Sequence, residues 1–472
     1  VLEMAASPLT EGVDRRTQRD VTPSAHRGRE TPRRREPRGR LGRIVAGSLA
    51  SGLLAALLLA AVPFIAPEPS ELTGAVLCGF AVGWATLGML SVRFTDQPQP
   101  WAWAPAKLMG LGGLMLIAFG SGADDVLRWV WPAAMLALAV WMVVRIRQDM
   151  GSRFGRWLLY PVVVLLAVVS VGAGTETVRS QTEMDYEMPG KLIDLGGHRL
   201  HLHCTGSGSP TVVLEPGAGM SSSTTGWIAP VVARDTRVCV YDRAGRGWSD
   251  PAKTTQDASQ IATDLHTLLE RGNVPGPYVL AGHSFGGLYA LTYTDLYPHE
   301  VAGMVLIDST APVSAPIPPK SPASSYAPMS RLSALVSATA RVGLMRLVVS
   351  LEDATLPSRS EAEVRASLAT TKHLRSTIDE YLQGGTSAKE AAALTSFADN
   401  PLYVLTAGEG SPPGWMPEQD KLATLSTNSV HRVIEGAAHA DFLVDERAAA
   451  ATSQAILDVI ASVRTGEPLG SG

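Results

Sequence analysis

Residues 282–286 read Gly282-His283-Ser284-Phe285-Gly286, a serine framed by glycines in the pattern G-x-S-x-G. The chemistry on offer is nucleophilic attack by a hydroxyl, provided that the serine is exposed and that a base takes its proton. Context supplies the exposure. The apolar run 278–281 reads as a buried strand and 287–293 as a helix, which puts Ser284 on a sharp strand-to-helix turn. Glycine is expected at 282 and 286 because a side chain at either position would collide with adjoining chain. The helix that starts there aims its free N–H groups and positive dipole end at any oxyanion forming near Ser284. A glycine-rich turn with a capping serine is the alternative, and the flanking strand and helix weigh against it.

The elements around this turn follow from period and punctuation. Alternating runs at 191–194 and 198–203 flank Gly196-Gly197, a hairpin signal, and further strands are expected at 211–215, 236–241, 301–307, 401–406 and 429–434. Helices are expected at 259–271 and 447–463. Strand and helix alternate, which argues for a parallel sheet covered on both faces, an α/β architecture. Pro216-Gly217-Ala218-Gly219 directly follows a strand, so its backbone N–H groups are placed either to complete an oxyanion hole or to make an ordinary turn. His201 and His203 share one strand face, but no third ligand stands nearby, so they read as ordinary strand histidines and no metal site is expected.

Four stretches, 214–219, 241–250, 282–287 and 301–308, occur together in an order that resembles the α/β-hydrolase superfamily, specifically its lidded esterase and lipase-like members. The resemblance covers about residues 190–465 and implies a mostly parallel sheet flanked by helices, with 309–397 as a helical lid. It also implies roles. Ser284 is the nucleophile, and His439, in a loop just after the final strand, is the base. The acid is expected at Asp308, at the end of the sixth strand, rather than at Glu409, because the loop 408–411 carries Ser411 where the family often has aspartate. The N–H groups of Phe285 and Ala218 are the expected oxyanion donors. Acyl transfer by these groups requires no metal or organic cofactor.

The N-terminal third reads differently. Eleven arginines crowd the first 43 residues with interspersed proline and almost no apolar pattern, so 1–42 is expected to lack structure. Five apolar runs follow, 44–66, 72–92, 108–122, 126–144 and 157–174, each a candidate crossing of a hydrocarbon core of ~30 Å. Basic residues concentrate at the start, at Arg93 and Lys107, and at 145–156, while the intervening links are acidic. That alternation predicts an all-α transmembrane region over 43–175 with a cytoplasmic N-terminus, a polar linker at 176–190, and an extracytoplasmic hydrolase domain over 191–466. The net charge of −4 excludes a general nucleic-acid binder, and a mean hydropathy of +0.11 is high for a wholly soluble chain.

Cys204 and Cys239 lie on strands that are neighbours in the resembled fold. A disulfide is permitted outside the cytoplasm, and reduced buried thiols are the default expectation. The sequence thus predicts a membrane-anchored serine hydrolase whose partners are the bilayer and a small-molecule ester or lipid-like acyl substrate. A peptidase or acyltransferase with the same residues, and a catalytically silent ligand sensor, are the competing readings.

Overall fold

The computed structural model describes residues 41–183, 187–314, 323–349 and 355–470. The arginine-rich stretch lies outside the described residues, apart from its last two positions, which begin the first helix. Among the described residues, five helical segments are long and apolar enough to cross a membrane, the third of them counted from Pro100. They are α1 (Leu41–Ala61), α2 (Pro69–Phe94), α3 (Trp103–Phe119), α4 (Ser121–Asp149) and α5 (Arg153–Glu183). Side chains such as Leu53, Leu57, Val164 and Val168 stay exposed on these helices. The α1–α2 contact uses small residues: a Cβ at Gly52 would lie 3.1 Å from the Gly83 Cα, so these backbones approach closely.

The fifth apolar helix extends further than the sequence reading placed it. Residues 176–183 were expected to be linker, yet α5 runs on to Glu183. Polarity alone does not end a helix, and no glycine or proline interrupts this stretch. Its hydroxyls turn back onto carbonyls one turn earlier, as Thr177 Oγ1 does onto Ala173 O at 2.9 Å.

The remainder is organised by an eight-stranded sheet in the order β1-β2-β4-β3-β5-β6-β7-β8. Its strands are β1 (Lys191–Asp194), β2 (Arg199–Thr205), β3 (Thr211–Glu215), β4 (Val238–Asp242), β5 (Tyr278–His283), β6 (Val301–Ile307), β7 (Leu402–Ala407) and β8 (Ser429–Ile434). β1 and β2 are antiparallel and the pairings from β4 to β8 are parallel. Successive strands β3 and β4 extend to one side of β5 while β6 to β8 extend to the other. The crevice beyond the carboxyl ends of β3 and β5 is therefore a topological switch point, where such sheets place ligands.

Both faces are covered. Leu280, Leu306 and Val404 pack with α7 (Ala258–Arg271) and α8 (Phe285–Leu296) on one side. Their strand neighbours Val279, Val305 and Leu405 pack with α15 (Glu446–Thr465), α6 (Ala229–Val232) and α14 (Asp441–Val444) on the other. α7 forms because Ile261, Leu265 and Leu268 fall on one face and the Asp257 side chain caps its start, accepting the Gln260 N–H at 3.0 Å. Each such buried aliphatic side chain contributes roughly 1.5–3 kcal/mol by leaving water.

Cys204 and Cys239 face each other across the β2–β4 pairing with Cα atoms 4.0 Å apart, and they are joined as a disulfide. The default expectation of two reduced thiols is thereby corrected. Register decides the matter, since it puts the two side chains on the same face of adjacent strands.

Between β6 and β7 the chain forms α9 (Ala323–Ala338), α10 (Leu344–Val349), α11 (Ser358–Leu368) and α12 (Thr371–Ala391), the helical lid; α13 (Trp415–Ala423) follows β7. The lid touches the ends of the apolar helices through arginines. Arg331 donates to the carbonyls of Ala60 (2.8 Å) and Ile65 (2.7 Å), Arg375 to that of Pro67 (2.8 Å), and Arg341 pairs with Asp124 at 2.9 Å.

Candidate active site

Ser284 stands between β5 and α8 with φ +54° and ψ −122°, a conformation that L residues adopt only under constraint. Its backbone is pinned on three sides. The Ser284 N–H donates to Ile307 O at 3.1 Å, and its carbonyl accepts the N–H groups of Gly287 and Thr310, each at 3.0 Å. The flanking glycines are required as expected: a Cβ at Gly282 would lie 2.5 Å from Gly286 O, and one at Gly286 would run into the Glu215 carbonyl. The side chain is thus presented half-buried at the switch point.

Asp308 follows the last residue of β6 at φ +41°, and His439 lies in the loop between β8 and α14. Their side chains meet, with His439 Nδ1 2.5 Å from Asp308 Oδ2. The second carboxylate oxygen accepts the Ala407 N–H at 3.0 Å and Trp415 Nε1–H at 2.7 Å. Burial opposes ionisation of Asp308, but the hydrogen bonds from His439, Trp415 and Ala407 outweigh it and hold its pKa below the ordinary value. An ionised partner at Nδ1 makes that nitrogen the protonated one and leaves Nε2 with its lone pair. Glu409 takes another place: its side chain is exposed, while its backbone N–H donates to Ala437 O at 3.0 Å. The structure brings Asp308, and not Glu409, to His439.

Trp415 carries no signal in the motif, and His283, expected within the strand-to-helix turn to point its side chain away, instead lies against the His439 backbone. Trp415, at the start of α13, orients the Asp308 carboxylate and stands edge-on to the His439 ring with centroids 6.2 Å apart. His283 is fully buried, and its Nε2–H donates to the His439 carbonyl at 2.8 Å. Burial, followed by the neighbouring His439 charge, pushes the His283 pKa down to about 4, so it stays neutral near pH 7. No pattern in the chain announces either role, because both depend on what faces the side chain in space.

The bend after β3 lies against the serine: a Cβ at Gly217 would sit 3.0 Å from Ser284 Cβ. Among the described residues, the backbone N–H groups of Ala218 and Phe285 have no hydrogen-bond partner. Unpaired donors at the N-terminus of a helix and in an adjacent glycine-rich bend suit a transient oxyanion. His201, whose spacing with His203 was considered for a metal, has both ring nitrogens engaged, Nδ1 by Asp242 at 2.9 Å and Nε2 by Pro189 O at 2.5 Å.

A family model described as alpha/beta hydrolase fold matches residues 210–446. Among curated proteins, an uncharacterized protein of Schizosaccharomyces pombe is 26% identical over 296 residues, 55% of this chain and 54% of the relative. A probable transporter of Hormonema carpetanum is 28% identical over 148 residues, 30% of this chain and 21% of the relative. The chain thus spans about half the length of the first of these relatives and a fifth of the second. Among solved structures, a putative lipase of Acinetobacter baumannii is 19% identical, with a TM-score of 0.45 covering 62% of this chain and 97% of that one.

Proposed function

This chain belongs to the α/β-hydrolase fold family, and from that premise we propose that it is a membrane-anchored serine hydrolase cleaving carboxylic esters or lipid-like acyl substrates. The observation that carries the reading is the 2.5 Å contact of His439 Nδ1 with the buried Asp308, set beside a serine held at positive φ on the strand-to-helix turn.

The steps follow from these groups. Ser284 Oγ attacks the substrate carbonyl while His439 Nε2 takes its proton, and Asp308 stabilises the imidazolium through Nδ1. The negative charge that develops on the carbonyl oxygen is received by the N–H groups of Phe285 and Ala218, donors that are worth about 10²–10³ each in comparable sites. His439 then protonates the departing alcohol, and water, deprotonated by the same imidazole, releases the acid from Ser284. Phe285 and Tyr381 of α12 supply aromatic surface beside the serine, with rings 5.5 Å apart, which suits an apolar acyl group.

The five apolar helices act as the anchor in this reading, with the N-terminus in the cytoplasm and the hydrolase domain outside it. The Cys204–Cys239 bridge is consistent with an oxidising compartment. Contacts of Arg331, Arg341 and Arg375 with the first loop and with α4 hold the lid next to the ends of the apolar helices, where a lipid-like substrate would arrive.

A fluorophosphonate probe tests the chemistry. The folded protein is expected to be labelled and Ser284→Ala is expected to lose the label. A folded protein that resists labelling would instead favour the ligand-sensing reading.

A further inference from the structure

The lid reaches the bend at residues 216–219 through two side chains of α12: His373 Nε2–H donates to Gly219 O at 2.8 Å, and a carboxylate, Glu380, holds the peptide groups around Ala218. Glu380 of α12 is buried, and its Oε2 accepts the Gly219 N–H at 3.0 Å while Oε1 accepts Arg243 Nε–H at 2.8 Å. Arg243, also buried, spends further donors on the same bend, Nη1 to Pro216 O at 2.8 Å and Nη2 to Gly217 O at 2.7 Å. Peptide groups on both sides of Ala218 are therefore held by a single ion pair, one half of which belongs to the lid.

The pair sits in a balanced cluster. Arg243 Nη1 also meets Glu215 Oε1 at 2.5 Å, and Arg246 Nη2 meets Glu380 Oε2 at 2.5 Å, so two carboxylates face two guanidinium groups. Burial opposes the charge on Glu380, but Arg243 and Arg246 outweigh it and bring its pKa down to about 2. An ionised acceptor is what a backbone N–H and a guanidinium hold most firmly.

We infer that Glu380 is a positioning residue for acyl transfer: through Gly219 and Arg243 it holds the bend at residues 216–219 so that the Ala218 N–H faces the oxyanion formed at Ser284. The inference rests on the serine-hydrolase reading. Its physical basis is the bend itself, which carries Gly217 and Gly219, the latter at φ +75°. A segment with that freedom needs outside partners to keep a donor within the ~0.5 Å that electrostatic stabilisation demands. The lid is thereby part of the oxyanion machinery as well as a cover for the substrate.

The experiment uses the full-length protein in detergent micelles. Glu380→Gln is expected to lower both kcat and the rate of Ser284 phosphonylation about 10- to 100-fold with KM changed less than about threefold, because the transition state and not the ground state loses its donor. A purely structural role is separated by the double variant Arg246→Met/Glu380→Gln, which leaves Arg243 balanced by Glu215. That variant is expected to regain the wild-type Tm while turnover stays low. Turnover that recovers together with Tm overturns the inference, as does a Glu380→Gln protein with activity within twofold of wild type. Failure of the folded wild-type protein to react, or equal labelling of Ser284→Ala, defeats the serine-hydrolase reading itself and this inference with it.

Discussion

At the scale of single residues the decisive contact is between His439 and Asp308. Spacing around Ser284 and chain order pointed to the serine and the histidine, but two carboxylates competed for the third place. Asp308 and Glu409 follow adjacent strands at the same edge of the sheet, and a linear reading cannot say which of them turns towards the imidazole. The geometry brings only Asp308 within hydrogen-bond reach. Asp308→Asn is therefore expected to lower kcat by about 10³–10⁴ by favouring the wrong imidazole tautomer. Glu409→Gln is expected to stay within twofold of wild type, and the opposite ranking in steady-state assays would reassign the acid.

At the scale of elements the strand-to-helix turn was readable because its requirements are local. Gly282 and Gly286 face backbone, which has no room to yield. Gly286→Ala is expected to destabilise the fold by about 1–3 kcal/mol, seen as a lower Tm, and to abolish fluorophosphonate labelling by displacing either β3 or the turn. Wild-type labelling in that variant would mean that the Glu215 carbonyl can move aside. Other elements were less legible. The end of α5 was misplaced because polar residues were read as linker, whereas helix termination requires a capping or breaking residue that 176–183 lacks. The lid was read as helical from its amphipathic pieces, but its contact with the bend after β3 was not, because a buried Glu380 looks in sequence like any surface glutamate of a helix.

At the scale of the whole molecule, the proposed orientation puts the N-terminus in the cytoplasm and the hydrolase portion outside it, a placement with which five apolar helices among the described residues and the Cys204–Cys239 disulfide are consistent. A reporter active only in the cytoplasm, fused at the C-terminus, is expected to stay silent, while one active only outside is expected to report; the reverse pattern would place the hydrolase portion in the cytoplasm. By itself the sequence determined what acts along the chain: five apolar helices by length, the alternation of strand and helix by period, and the exposed serine by its glycines and flanks. Only the tertiary structure decided what acts between distant segments. It set Asp308 against His439, 131 residues away, and joined Cys204 to Cys239 through strand register. It also brought Glu380 to Gly219 across 161 residues. The physical reason is that hydrogen bonds and ion pairs act over about 3 Å in space, whereas periodicity and composition record only the environment that a residue requires and not the partner that supplies it.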